Sequence, residues 1–459
     1  MNAPQRFNSI DEVATATRIL FLGALGLALA SGSFLWAARV GWMILAVLGA
    51  LYPHYLLYTI FFFSAFFHNA GFAPDLFFTI KHFHIAIGLW IVVSLIRGEW
   101  GNSLKLLPKA IRFLSPVIGI VFIGILNFLI AKSSVITLLT PANLLSVIIS
   151  MCLVVCGILS HKCGRGLLLN GIVFYLWGVA FLVLAGVFNK FYYLNIFETS
   201  VIHNNHTGIL CAISIFHTFS RALENKPLIR RLLDLLLTAI LTAGLIASCS
   251  RTSWFSFIFA FIIYACLIKY YVKNMPIRSF RIVVILLVII SAALIFTLPN
   301  VWLRLSNINQ LIDPEYWKYT INDHQNFGFL GIFRLRDFQL IANIFSLSPI
   351  VGIGFQKEVV DAHGLYCIIL GSTGLSGLLL FAYFSGQLIY SLWKTINTSG
   401  DGKLVLFSIS TLCSITAWTV CSLMESYYVH FSIWLQTAIA ISIIGIAAQA
   451  KSPGAALHK

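Results

Sequence analysis

The feature that most restricts this chain is a series of apolar runs, each close to twenty residues long and separated by short basic loops. A run of about 20 apolar residues is long enough to cross a hydrocarbon core as a helix. From residue 113 onward the runs fall at roughly 113–131, 139–159, 166–187, 204–221, 232–248, 253–271, 281–298, 363–393, 404–423 and 428–448. The run at 363–393 is long for one crossing and is expected to tilt or break near Gly371, Gly374 and Gly377. Those three glycines also form a small-residue face that would let another helix approach closely. Composition agrees, with 59% of residues hydrophobic, 10% charged and a mean hydropathy of +0.92. Ordinary globular chains are roughly 45–50% apolar and about 25% charged.

Charge sets the expected topology. Arg97, Lys105, Lys109 and Arg112 form one basic cluster, Lys162 and Arg165 a second, and Arg221, Lys226, Arg230 and Arg231 a third. Lys269, Lys273, Arg278 and Arg281 follow, then Lys394 and Lys403, then Lys451 and Lys459. Basic loops stay in the cytoplasm, so the net charge of +15 is read as a topology signal and not as nucleic-acid binding. Two runs then fit between neighbouring clusters. Before Arg97 the apolar stretches near 18–37, 41–67 and 77–96 are broken at "SGS", "YPH" and "HNAGFAPD" and give either two or four crossings. The expectation is an all-α polytopic membrane protein of about 12–14 transmembrane helices, one integral membrane domain over 1–459. A long insert at 299–362 is expected on the outer face. Met1 to Thr17 reads as a polar tail, not a cleavable signal.

This parity turns outward the turn "SCSRTSW", the segment ending in "HNNH", the 299–362 insert and "MESYYVH". Arg251 lies in the first of these. An arginine at such depth is costly unless paired or facing water, and the alternative is an arginine snorkelling to headgroups. Arg334 opens a stretch in which Phe333, Phe338, Leu340, Ile341, Ile344 and Phe345 make a helical apolar face. Arg336, two positions on, points to a different side of such a helix. "SPIVGIGF" reads as the turn that ends it. His363 stands at the mouth of the glycine-marked run, with Asp361 placed to orient its ring. Glu425 is the carboxylate of the last outward turn. His203 and His206, three apart at a helix start, suit a polar or glycan contact better than a metal, since no third ligand stands near. The nine cysteines show no Cys-x-x-Cys pair, and neither a metal site nor a disulfide framework is expected. There is no Asp-x-Asp, so a phosphate would be met by arginine and not by a carboxylate-bound divalent ion.

Taken in order, "CSRTSWFSFIFAF", the arginine-led stretch ending in "SPIVGIGF", and "AHGLYCIILGSTGLSGLLLF" resemble the bacterial O-antigen ligase and polymerase family. That family typically shows a Ser-Arg or Thr-Arg turn. It then has an arginine with an aromatic four residues on and a proline fifteen on, here Arg334, Phe338 and Pro349. A histidine follows, with a glycine eleven residues later, here His363 and Gly374. The likeness is clearest from about residue 200 to 381. Where the family often has asparagine after the histidine this chain has Gly364, and the segment between "GIGF" and His363 is short.

The resemblance implies a metal-independent, cofactor-free inner-membrane enzyme. It would move a glycan from undecaprenyl diphosphate to an acceptor hydroxyl on the periplasmic face. Arg251 and Arg334, with Arg336 beside them, would hold the departing diphosphate. His363 would be the general base or, protonated, a further diphosphate ligand with Glu425 as base. His203, His206 and Asp361 would line the substrate site. The short segment between "GIGF" and His363 tilts the expectation toward a surface-polysaccharide polymerase. The alternatives are a ligase that delivers the glycan to lipid A–core, an enzyme of O-linked protein glycosylation, and, from a different class, a transporter or flippase. Expected partners are the lipid-linked donor, a glycan or lipid A–core acceptor and membrane lipids, with a chain-length regulator as a candidate and no nucleic acid.

Overall fold

The computed structural model describes residues 5–29, 35–66, 82–98, 105–131, 135–161, 163–192, 204–224, 226–272, 277–298, 302, 332–355, 359, 364–423 and 431–450. Among them every regular element is an α-helix. The first eight are α1 (Gln5–Leu29), α2 (Leu35–Leu51), α3 (His54–Phe63), α4 (His82–Ile96), α5 (Leu107–Ala131), α6 (Val135–Ser160), α7 (Gly164–Tyr192) and α8 (Asn204–Leu223). Then come α9 (Leu228–Ala247), α10 (Arg251–Tyr271), α11 (Ile277–Thr297), α12 (Ile332–Leu347), α13 (Leu365–Thr398), α14 (Gly402–Cys421) and α15 (Phe431–Ala450). Each of the ten apolar runs after residue 113 has its helix.

Among the described residues, seven helices carry stretches long and apolar enough to cross a membrane: Leu107–Asn127, Pro141–Ser160, Gly164–Gly186, Arg251–Tyr271, Phe280–Thr297, Leu365–Thr398 and Gly402–Cys421. Shorter apolar helices cover Thr15–Leu29, Trp36–Leu51, His54–Phe63, Phe83–Ile96 and Trp434–Ala450. The chain is an all-α polytopic membrane protein. α1 begins at Gln5, so helix continues through the polar stretch read as a tail, and its apolar part is Thr15–Leu29.

Two compact units divide the chain: Met1–Lys105 with Gly166–Ile202, and Leu106–Arg165 with His203–Lys459. In the first, glycines on α7 let α3 come close. A Cβ at Gly178 would stand 2.4 Å from the Phe62 carbonyl oxygen, and one at Gly171 would meet the Phe61 ring at 3.0 Å. Asn170 Nδ2 donates to the Tyr58 hydroxyl at 3.2 Å, and the Phe174 and Tyr58 rings stack at 4.9 Å.

The second unit is built around α8, in which every residue from Ile209 to Thr218 is 0% exposed. A helix buried on all sides belongs at the centre of its bundle. Several of its buried polar groups bond to neighbouring helices. His217 Nε2 meets Gln436 Oε1 of α15 at 2.9 Å, Ser414 Oγ of α14 donates to the Ile213 carbonyl at 2.6 Å, and Ser220 Oγ meets the Tyr264 hydroxyl of α10 at 3.0 Å. At the other extreme, α11 presents Ile285, Val288 and Ile289 outward, as a lipid-facing helix does.

The contacts also fix direction. Ile213 pairs with Ser414 and Ser220 with Leu406, so α8 and α14 are antiparallel. Asn205 pairs with Ser253 and Ser220 with Tyr264, so α8 and α10 are parallel. Tyr271 donates to Asn397 at 2.8 Å where α10 and α13 both end. Hence α8, α10 and α13 all begin at one end of this unit, the end where α14 finishes.

Candidate functional site

Arg251 owes its place to a very tight turn. α9 ends at Ser248, Cys249 takes a left-handed φ of 52°, and Ser250 caps α10, so Arg251 is the first residue of that helix. A non-glycine residue in this backbone region is uncommon and persists only where its surroundings hold it. Here serines do so. Ser250 Oγ accepts from the Ser253 amide at 3.4 Å and meets Ser253 Oγ at 2.9 Å, while Ser248 Oγ accepts from the Ser250 amide at 3.3 Å. Trp254 Nε1 donates back to the Leu245 carbonyl at 2.8 Å and pins the two helices together.

All three guanidinium nitrogens of Arg251 are buried, and the side chain is engaged with its surroundings. That geometry is not an arginine reaching out into water. Its position also has an electrostatic consequence. The first turn of a helix carries the positive end of the peptide dipole, which favours anions and opposes cations. A guanidinium there adds to that potential, so this turn is a place where negative charge is strongly favoured.

α8 begins beside this turn. Ser253 Oγ donates to the Asn205 carbonyl at 3.4 Å, and a Cβ at Gly208 would stand 2.7 Å from Ser248 Oγ and 2.8 Å from Ser253 Oγ. Glycine at 208 is what permits the approach. His206, in the same helical turn, is buried at 3% exposure. The structure thus brings the His206 turn and the Arg251 turn together, while His203 lies outside the described residues.

A second junction forms at the same end. The Leu365 amide at the start of α13 donates to the Ser422 carbonyl at the end of α14 at 2.9 Å, and Tyr366 Oη donates to the Thr419 carbonyl at 3.4 Å. A Cβ at Gly364 would lie 2.9 Å from the Leu423 carbonyl oxygen, which accounts for glycine directly after His363. His363, Asp361 and Glu425 themselves lie outside the described residues. Chain continuity puts His363 one residue before Gly364 and Glu425 two after Leu423.

α12 lies in the insert, and of the apolar face expected there Leu340 and Phe345 are half-buried while the side chains of Phe333 and Phe338 lie outside the described set. Ile341 and Ile344 are buried, and Ile341 meets Gly371 of α13. Arg334 and Arg336 are on its first turns, with side chains outside the described set. The segment after α12 departs from expectation. At Gly374 the glycine-marked stretch receives a turn, while Gly371 meets Ile341 of α12. Gly374 adopts φ 62° and ψ −159°, a conformation open to glycine alone, and breaks α13. Residues 349–354 fill the break. The Ile353 and Gly354 amides donate to the Gly371 and Ser372 carbonyls at 3.0 and 2.9 Å, and the Leu375 and Ser376 amides donate to the Pro349 and Ile350 carbonyls at 2.9 and 3.0 Å. Sequence reasoning missed this docking, as it missed Gly208 and the serines around Arg251. The one available signal was "SPIVGIGF" itself, a turn with enough glycine to enter another backbone.

Beside Phe355 and the first turns of α13 lies a cleft lined by apolar and aromatic side chains of α5, α6, α13 and α15, among them Ile120, Leu144, Ile368 and Trp434. No protein-family model matches the chain, and no curated protein matches it.

Proposed function

We propose that this protein is an integral membrane glycosyltransferase that moves a glycan from undecaprenyl diphosphate to an acceptor hydroxyl on the periplasmic face, extending a surface polysaccharide. The observation that supports this most is the buried guanidinium of Arg251 at the positive end of α10, in the end of the bundle where α8 and α13 also begin. The reaction breaks the bond between the anomeric carbon of the donor sugar and the diphosphate oxygen. Negative charge builds on the leaving diphosphate, and Arg251 with Arg334 receives it through charge-assisted hydrogen bonds. The acceptor hydroxyl attacks the same carbon and gives its proton to His363, or to Glu425 where His363 is itself a diphosphate ligand. Basic loops at the opposite end support a periplasmic placement of this end.

The broken helix argues against the transporter reading. Transporters use the exposed ends of broken helices to hold substrate. Here both ends of the break in α13 are occupied by the backbone of 349–354.

The test is purified protein in liposomes given lipid-linked donor alone. A ladder of longer lipid-linked products supports polymerisation. Transfer only on addition of lipid A–core makes the protein a ligase. No covalent product with either acceptor overturns the proposal.

A further inference from the structure

Asn127 is a buried amide in an apolar helix. It sits near the end of α5, is 7% exposed, and lies among Val121, Gly124 and other apolar positions of that helix. A polar side chain inside a membrane bundle is costly unless its hydrogen bonds are met. Asn127 Nδ2 carries two hydrogens and meets two carbonyls. It donates to Ser372 O at 3.2 Å and to Val351 O. The first carbonyl is one that the kink at Gly374 releases from the α13 ladder. The second belongs to the turn that enters the kink. One amide group therefore joins three pieces of chain: α5, the 349–354 turn and the break in α13. Phe355, the next residue after the turn, fills the notch at Gly124 one helical turn earlier on α5, where a Cβ would stand 2.1 Å from its ring.

We infer that Asn127 is a positioning residue for the transfer site, a claim that rests on the function proposed above. The turn it holds ends α12, whose first turns carry Arg334. The break it holds lies in α13, which begins directly after His363 and Gly364. Asn127 thereby sets the helix that bears the diphosphate-binding arginine against the helix that follows the proposed base, without touching substrate.

Hydrogen exchange and turnover together test this. In the purified full-length protein, peptides covering 349–355 and 371–376 should exchange slowly. Asn127→Asp keeps the shape but turns an oxygen toward two carbonyl oxygens, and should speed exchange there roughly tenfold or more. Peptides of α8 and α14 should be unchanged. Asn127→Gln keeps the amide and should restore part of the protection. For transfer from the lipid-linked donor, kcat should fall at least tenfold in Asn127→Asp with donor KM little changed, and recover in part in Asn127→Gln. Unaltered exchange in Asn127→Asp overturns the clamp, and faster exchange throughout makes Asn127 an ordinary fold residue. Local loosening with full kcat removes the positioning role. Local loosening in a protein whose wild type transfers nothing leaves the clamp standing and sinks the proposed function instead.

Discussion

Ser253 donates its hydroxyl to the carbonyl of Asn205 at 3.4 Å and so ties the turn that presents Arg251 to the first turn of the central helix α8. Two helix starts are held side by side at the turn that presents Arg251, whose guanidinium nitrogens are buried. This arrangement generates the first two predictions.

Arg251→Ala should lower transfer by about 10²–10³-fold, the loss expected when one preorganised donor to a developing anion is removed. Arg251→Lys keeps the charge but loses the planar fork, and should recover only part of that loss. Initial rates with purified donor, measured at equal amounts of membrane-inserted protein, check both.

Gly208→Val should separate α8 from the Arg251 turn. Its side chain would occupy the space of Ser248 Oγ and Ser253 Oγ. Overpacking of this kind costs about 1–3 kcal/mol. Thermal unfolding in detergent should show that loss, with transfer reduced more than the folded fraction. A variant with normal melting and normal rate would remove the close approach from the account.

Gly374→Ala should destabilise the protein by about 1–3 kcal/mol through its backbone conformation alone. The added Cβ would also stand 2.4 Å from the Ile350 carbonyl group. A lowered melting temperature, with faster proteolysis between 349 and 376, is the expected result.

The opposite end of the second unit should affect stability but not chemistry. Asp234 is 1% exposed and takes Arg221 Nε at 2.8 Å and Lys226 Nζ at 3.1 Å. Lys226 also reaches Glu224 at 3.4 Å, and Lys403 approaches the same carboxylate at 3.8 Å. Asp234→Asn leaves two cations facing a neutral group, which costs about 3 kcal/mol when a buried pair is broken. The melting temperature should fall, while the rate per folded molecule stays at the wild-type value.

Much of this architecture is legible in the sequence because a membrane imposes a coarse rule. Twenty apolar residues make a span whatever their order, so the runs from 113 to 448 each return a helix. The amphipathic pattern at Ile341 and Ile344 is legible for the same kind of reason, a helical period with one buried face. What hydropathy does not carry is backbone sign and long-range pairing. The length of the 363–393 run already points to a tilt or break near Gly371, Gly374 and Gly377, but not to which glycine breaks it or to what fills the gap. Only the positive φ at Gly374 makes the middle one a break. Asn127 looks like a stray polar residue, because its partners are 224 and 245 positions away. Arg251 is visible as an arginine in a short turn. Its burial, and the αL residue at Cys249 that creates it, are not.

The most direct test of the central claim follows the lipid carrier and not the glycan. Proteoliposomes holding purified protein, lipid-linked donor and acceptor would be sampled over time for undecaprenyl diphosphate by mass spectrometry. The account predicts that one undecaprenyl diphosphate appears for each glycan transferred, and that Arg251→Ala lowers both together by the same factor of about 10²–10³. Movement of intact donor across the bilayer with no free undecaprenyl diphosphate would contradict it.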